Sequence, residues 1–93
     1  MSEQKRLEAI VHGYVQGVGF RWWTRQVARQ LGLSGYVRNR YDRTVEVVAE
    51  GPERKLHKLL SLLEAGPSAA AVERVDARWA PASGQFPGFE VRF

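Results

Sequence analysis

At 93 residues, 44% hydrophobic and 26% charged, the chain has enough material for one domain with a single core, too little for two comfortably, and not the composition of a disordered segment. It carries a formal net charge of +4 and no cysteine, so a disulfide framework and a thiolate nucleophile are both excluded. There is no run of about eighteen apolar residues to span a membrane, and the opening MSEQKRLEAI lacks the apolar core of a signal peptide, so a cytoplasmic protein is the expectation.

Leu7, Ala9 and Val11 alternate with Glu8, Ile10 and His12, the period-two pattern of a strand. Then comes GYVQGVGFR, three glycines within seven residues followed by an aromatic and an arginine. From Phe20 the period changes to that of a helix, with Phe20, Trp23, Val27, Ala28 and Leu31 on one face and Gly32 as the stop. SGYVRNRYDRTVEVVAEG reads as two strands around a turn at Asn39 to Arg43. Pro52 opens a second helix with Leu56, Leu59, Leu60 and Leu63 as its apolar stripe, closed by Gly66-Pro67. Val72, Val75, Ala77 and Trp79 predict a third long strand, and Phe89, Val91 and Phe93 a short last one. The order predicts an α+β fold of the ferredoxin-like βαββαβ type over residues 1–93, with both helices on one face of an antiparallel sheet. No internal repeat, low-complexity tract or dividing linker interrupts it.

The charge is unevenly spread. Residues 1–46 hold eight Lys/Arg against four Asp/Glu, and residues 47–93 hold six of each. The excess sits in the half with the glycine loop, where it suits an anion from nucleic acid to a small phosphate, although solvated surface arginines give the same count. A strand, a bare loop and a helix N-terminus together form a recipe for anion binding. Glycines let backbone N–H groups converge, and the helix adds its own unpaired N–H groups and the positive end of its dipole. Arg21 opposes that dipole unless an anion sits there, and its planar fork matches phosphate oxygens. The same turn also arises for geometric reasons alone. No Gly-Lys-Ser/Thr follows it, so it is not a nucleotide P-loop.

General bases are scarce. His12 borders the loop and His57 lies in the polar part of the second helix, and both patterns suit surface or packing histidines. No cluster has metal-ligand spacing, so neither metal nor cofactor is expected. Asn39, the only asparagine, ends the second strand. Its amide can orient a water without taking its proton, but a turn asparagine is the simpler account from spacing alone.

Taken together, VQGVGFR at 15–21, GLSGYVRN at 32–39, VEVVAEGP at 45–52 and the closing GFEVRF resemble the acylphosphatases over nearly the whole chain. The resemblance implies the same ferredoxin-like fold and metal-free hydrolysis of the carboxyl–phosphate bond of acyl phosphates. It places the phosphate-binding loop on Gly13, Tyr14, Val15, Gln16, Gly17, Val18 and Gly19, the catalytic arginine on Arg21 and the water-positioning asparagine on Asn39. It also implies a small-molecule acyl phosphate as substrate and inorganic phosphate as product; nothing in the chain requires more than a monomer, and neither a nucleic-acid nor a membrane partner is expected. One departure stands out: Tyr41-Asp42-Arg43 replaces the Pro-Asp-Gly common in relatives. Trp23 is expected in the core and Trp22 partly packed at its edge. Two alternatives remain. An RNA-binding domain of this fold would display aromatics on its central strands, which TVEVVAE lacks. A regulatory, non-catalytic module would be expected to have lost Arg21 or Asn39.

Overall fold

A computed structural model describes residues 3–93. The elements follow in the order β1 (Gln4–Tyr14), α1 (Phe20–Gln30), β2 (Ser34–Asn39), β3 (Val45–Pro52), α2 (Glu53–Ala65), β4 (Ala71–Pro81) and β5 (Phe89–Arg92). The five strands form one sheet in the order β4-β1-β3-β2-β5, which is the predicted ferredoxin-like arrangement with one strand added. β1 pairs antiparallel with β3 and β4, and β2 antiparallel with β3. The added strand differs from expectation: β5 runs parallel to β2, with Val37 opposite Val91, so the sheet is mixed rather than wholly antiparallel.

Alternation fixes which face is buried. Leu7, Ala9 and Val11 of β1 lie opposite Ala49, Val47 and Val45 of β3, and all six are fully buried. They pack against Leu56, Leu59 and Leu63 of α2 and Phe20 and Ala28 of α1, so both helices share that face. The α2 stripe is as the leucine spacing predicts. On α1 the fully buried set is Phe20, Thr24 and Ala28, while Trp23, Val27 and Leu31 pack at the margin. Thr24 is admitted because its hydroxyl donates to the Phe20 carbonyl at 2.9 Å, leaving no polar group unsatisfied. α1 ends as Gly32 predicts: the Gly32 N–H donates to the Arg29 carbonyl and the Leu33 N–H to the Ala28 carbonyl.

On the opposite face, the segment 82–88 between β4 and β5 is strapped to the sheet by a single carboxylate. Glu50, 4% exposed, accepts from Arg6 Nε at 2.7 Å, from the Ser83 N–H and hydroxyl at 2.9 Å each, and from the Gly84 N–H at 2.9 Å. Phe86 closes the strap, its ring 5.9 Å edge-on from Tyr36 and 5.4 Å below the Arg6 guanidinium. Burial pushes the Glu50 carboxyl up, but the Ser83 and Gly84 N–H groups, Arg6 and the Ser83 hydroxyl outweigh it and hold it down at about 2.

A carboxyl lowered on folding stabilises the protein above its unfolded value near 4.5 and loses that contribution as pH falls through about 2. On the order of 3 kcal/mol of unfolding free energy should therefore disappear across that window. Glu50→Gln should remove this portion of the slope, as urea titrations at pH 5 and pH 2.5 would show. Equal slopes in the two proteins would exclude Glu50 as the source.

Candidate active site

β1 and β2 run parallel on either side of β3, so their C-terminal ends emerge at the same edge of the sheet. Val11, Val45 and Asn39 lie in one row across the three strands. Asn39 follows the buried Val37 by two residues and so faces the helix layer, toward the start of α1. β5, parallel to β2 with Arg92 opposite Arg38, brings Phe93 to the same end.

The chain between β1 and α1 is shaped by glycine. At Gly13 the β1–β4 register shifts, and a Cβ there would lie 2.2 Å from the Ala71 carbonyl oxygen, closer than any side chain tolerates. Gly13 and Tyr14 are the last residues of β1, paired with Val72 and Ala71, so the loop proper is Val15 to Gly19. Gly19 caps α1 in the left-handed region at φ 77°, which costs glycine no steric strain. α1 has no side-chain cap and no acidic residue in its first turn. The positive end of the helix is thus left for something outside it.

A small cavity of about 100 Å³ sits here, lined by Val15, Gly17, Gly19, Phe20, Arg21, Trp22 and Asn39. Arg21 and Asn39 also line a larger cleft of about 620 Å³, together with Arg38, Arg40, Tyr41, Asp42 and Phe93. The structure therefore brings together Arg21, Asn39, Val15, Gly17 and Gly19 around one space. Val18 instead packs on the core, and Tyr14 points outward, 65% exposed. Neither histidine lines either cavity: His12 pairs with Asp76 at 2.9 Å, and His57 stacks on Trp79 at 4.7 Å. Among the described residues no group of three or more His, Cys, Asp or Glu could hold a metal ion.

Arg21 is turned toward β5. Its Nη1 makes a long hydrogen bond of 3.4 Å to the Arg92 carbonyl, and its guanidinium lies 4.8 Å over the Phe93 ring. Both contacts favour a cation and keep the plane of the fork at the cavity wall. The Asn39 amide has no hydrogen-bond partner among the described residues. Three arginines against one carboxylate, Asp42, line the larger cleft and make it attractive to anions. Asp42 is engaged elsewhere. It accepts from the Thr44 hydroxyl at 2.5 Å and the Thr44 N–H at 3.1 Å, which together hold its carboxyl below the usual range.

One contact escaped the sequence. Gln16 Nε2 donates to the carbonyls of Arg40 at 3.0 Å and Thr44 at 2.9 Å, tying the glycine loop to the β2–β3 turn. No periodicity or local motif links residues so far apart, and nothing in the chain's pattern separates Gln16 from its loop neighbours. Trp22 matches its expected half-packed state, 52% exposed and 6.3 Å from Phe93. Arg43 takes φ 72°, where the relatives' turn commonly has glycine, and so carries strain of roughly 1 kcal/mol.

Residues 7–91 match the acylphosphatase family model. An acylphosphatase of Nocardia farcinica is 53% identical over 87 residues, 94% of this chain and 87% of that protein. One from Rhodococcus jostii is 52% identical, covering 95% and 99% respectively. Among solved structures, the acylphosphatase from Bacillus subtilis superposes with a TM-score of 0.92 at 31% identity, covering 96% of this chain and 99% of that one. Together with a glycine-lined cavity shared by one arginine and one asparagine, these likenesses identify the chain as a member of the acylphosphatase family.

Proposed function

We propose that this acylphosphatase, acting as a single 93-residue domain and a monomer, holds the phosphoryl group of an acyl phosphate in the small cavity and hydrolyses the carboxyl–phosphate bond without a metal. The observation that carries this is the convergence of Arg21, Asn39 and the loop glycines on one space of about 100 Å³. Arg21 supplies a fork of donors to the equatorial oxygens, and the loop and the first turn of α1 supply backbone N–H groups. Asn39 orients the attacking water opposite the leaving carboxylate.

The chemistry asks for little more. The leaving group is a carboxylate whose conjugate acid has a pKa of about 4 to 5, so no general acid is required. A loose phosphoryl-transfer transition state is served by charge stabilisation and in-line placement, which fixed donors provide. The proton from the water passes to a phosphate oxygen of the substrate itself, consistent with both histidines being engaged away from the site.

Two other readings lose support. On the open face, the central strands present Glu8, Ile10, Glu46 and Val48, the His12 ring is paired with Asp76, and Tyr36 of β2 is covered by Phe86 and by Arg92 at 3.9 Å. A non-catalytic module would not need Arg21 and Asn39 on the same cavity. No described helix is long and apolar enough to cross a membrane.

The test is hydrolysis of acetyl phosphate by purified protein in excess EDTA, against the same protein given magnesium. Equal rates are expected. A rate that EDTA abolishes and magnesium restores would overturn the metal-free mechanism.

A further inference from the structure

With the phosphoryl group in the small cavity, the adjoining cleft has room for the acyl group. Arg21 and Asn39 are common to both spaces; with the water held at Asn39 and the leaving group opposite it, the acyl group runs past Arg21 into the cleft of about 620 Å³. Two aromatic rings stand along that cleft. Tyr41 has a relative exposure of 109% and Phe93 of 90%. The Phe93 ring meets Arg21 at 4.8 Å and Trp22 at 6.3 Å, whereas the Tyr41 ring stands in solvent where it lines the cleft.

Tyr41 is not on a loose tip. Asp42, next in sequence, is fastened to the Thr44 N–H and hydroxyl, and the Arg40 N–H donates to the Thr44 carbonyl at 2.9 Å. Gln16 grips the carbonyls of Arg40 and Thr44 from the glycine loop. The turn that presents Tyr41 is therefore braced against the loop that lines the phosphoryl cavity.

We propose that Tyr41 is a specificity residue, selecting acyl phosphates with a planar aromatic acyl group, which stacks in the cleft alongside Phe93. This rests on the placement of the phosphoryl group given above. Phe93 also contacts Arg21, so its loss would disturb the arginine; Tyr41 makes no hydrogen bond to Arg21 or Asn39 and can be altered separately. Stacking on the acyl group is present before and during bond cleavage alike, so it belongs in KM and leaves kcat unchanged.

The experiment measures kcat and KM for benzoyl phosphate and acetyl phosphate with the full chain, Tyr41→Ala and Tyr41→Phe. Tyr41→Ala should raise KM for benzoyl phosphate by about five-fold, the effect of one aromatic pair, at unchanged kcat. Its constants for acetyl phosphate should stay within about two-fold of the parent, and Tyr41→Phe, which keeps the ring, should behave as the parent on both substrates. Equal KM increases on both substrates would assign Tyr41 to the shape of the turn and overturn the proposal. So would a KM for benzoyl phosphate indifferent to the substitution. Hydrolysis of neither substrate by the folded parent would sink the placement of the phosphoryl group and this inference with it, an outcome distinct from either of the others.

Discussion

Arg21→Ala is expected to lower kcat/KM for acetyl phosphate by about 10³-fold or more, the scale of losing a preorganised charged donor in phosphoryl transfer. The loss should fall on both constants, because the guanidinium meets the phosphoryl oxygens in the bound substrate and again as charge shifts in the transition state. Inhibition by inorganic phosphate should weaken in parallel and should be competitive in the parent. Arg21→Lys should recover little, since an ammonium lacks the planar fork and cannot lie against the Phe93 ring while reaching two oxygens. Stability should change little, because Arg21 is only partly buried and its one hydrogen bond, to the Arg92 carbonyl, is long. A variant that keeps full activity, with phosphate inhibition intact, would remove Arg21 from the site.

Asn39→Ala should show a different signature. It should reduce kcat by about 10²-fold and leave KM near its parent value, because a misplaced water affects the reaction and not the binding of substrate. The structure motivates the distinction: the amide projects from the end of β2 into the cavity without a partner among the described residues, whereas Arg21 is already anchored at the wall. Steady-state kinetics on acetyl phosphate separate the two roles. A raised KM at constant kcat would make Asn39 a binding residue.

Much of this was legible in the chain because alternation and helical spacing are direct consequences of burial. Leu7, Ala9 and Val11 declared the inner face of β1, and Leu56, Leu59 and Leu63 that of α2. Thr24 did not declare itself, because a hydroxyl that bonds its own helix leaves no apolar mark in the pattern. The direction of β5 was equally hidden, since Phe89 and Val91 alternate alike in a parallel or an antiparallel partner. Glu50 lies on the outward side of an alternating strand, and only the return of residues 82–88 across the sheet makes it a buried anchor. In the site, composition and spacing suggested an anion-binding loop and a turn asparagine. Resemblance to a family assigned Asn39 its role, and the row joining it to Val11 through Val45 shows how it comes to face the loop. The resemblance placed Gln16 in the loop, but its bonds to Arg40 and Thr44, like the arrival of Phe93, come from the fold alone.

The position of β1 has a consequence for how the protein is made. Both of its edges are satisfied by segments far along the chain, β3 from residue 45 and β4 from residue 71. The ribosome completes β4 several seconds after β1, at about 5 to 20 residues per second. Until then this inner strand of the sheet has at least one open edge. The nascent chain must pass through this interval before a core can close, with long loops to draw together. During biosynthesis, then, a strand paired along both edges in the finished enzyme spends seconds with an edge unpaired.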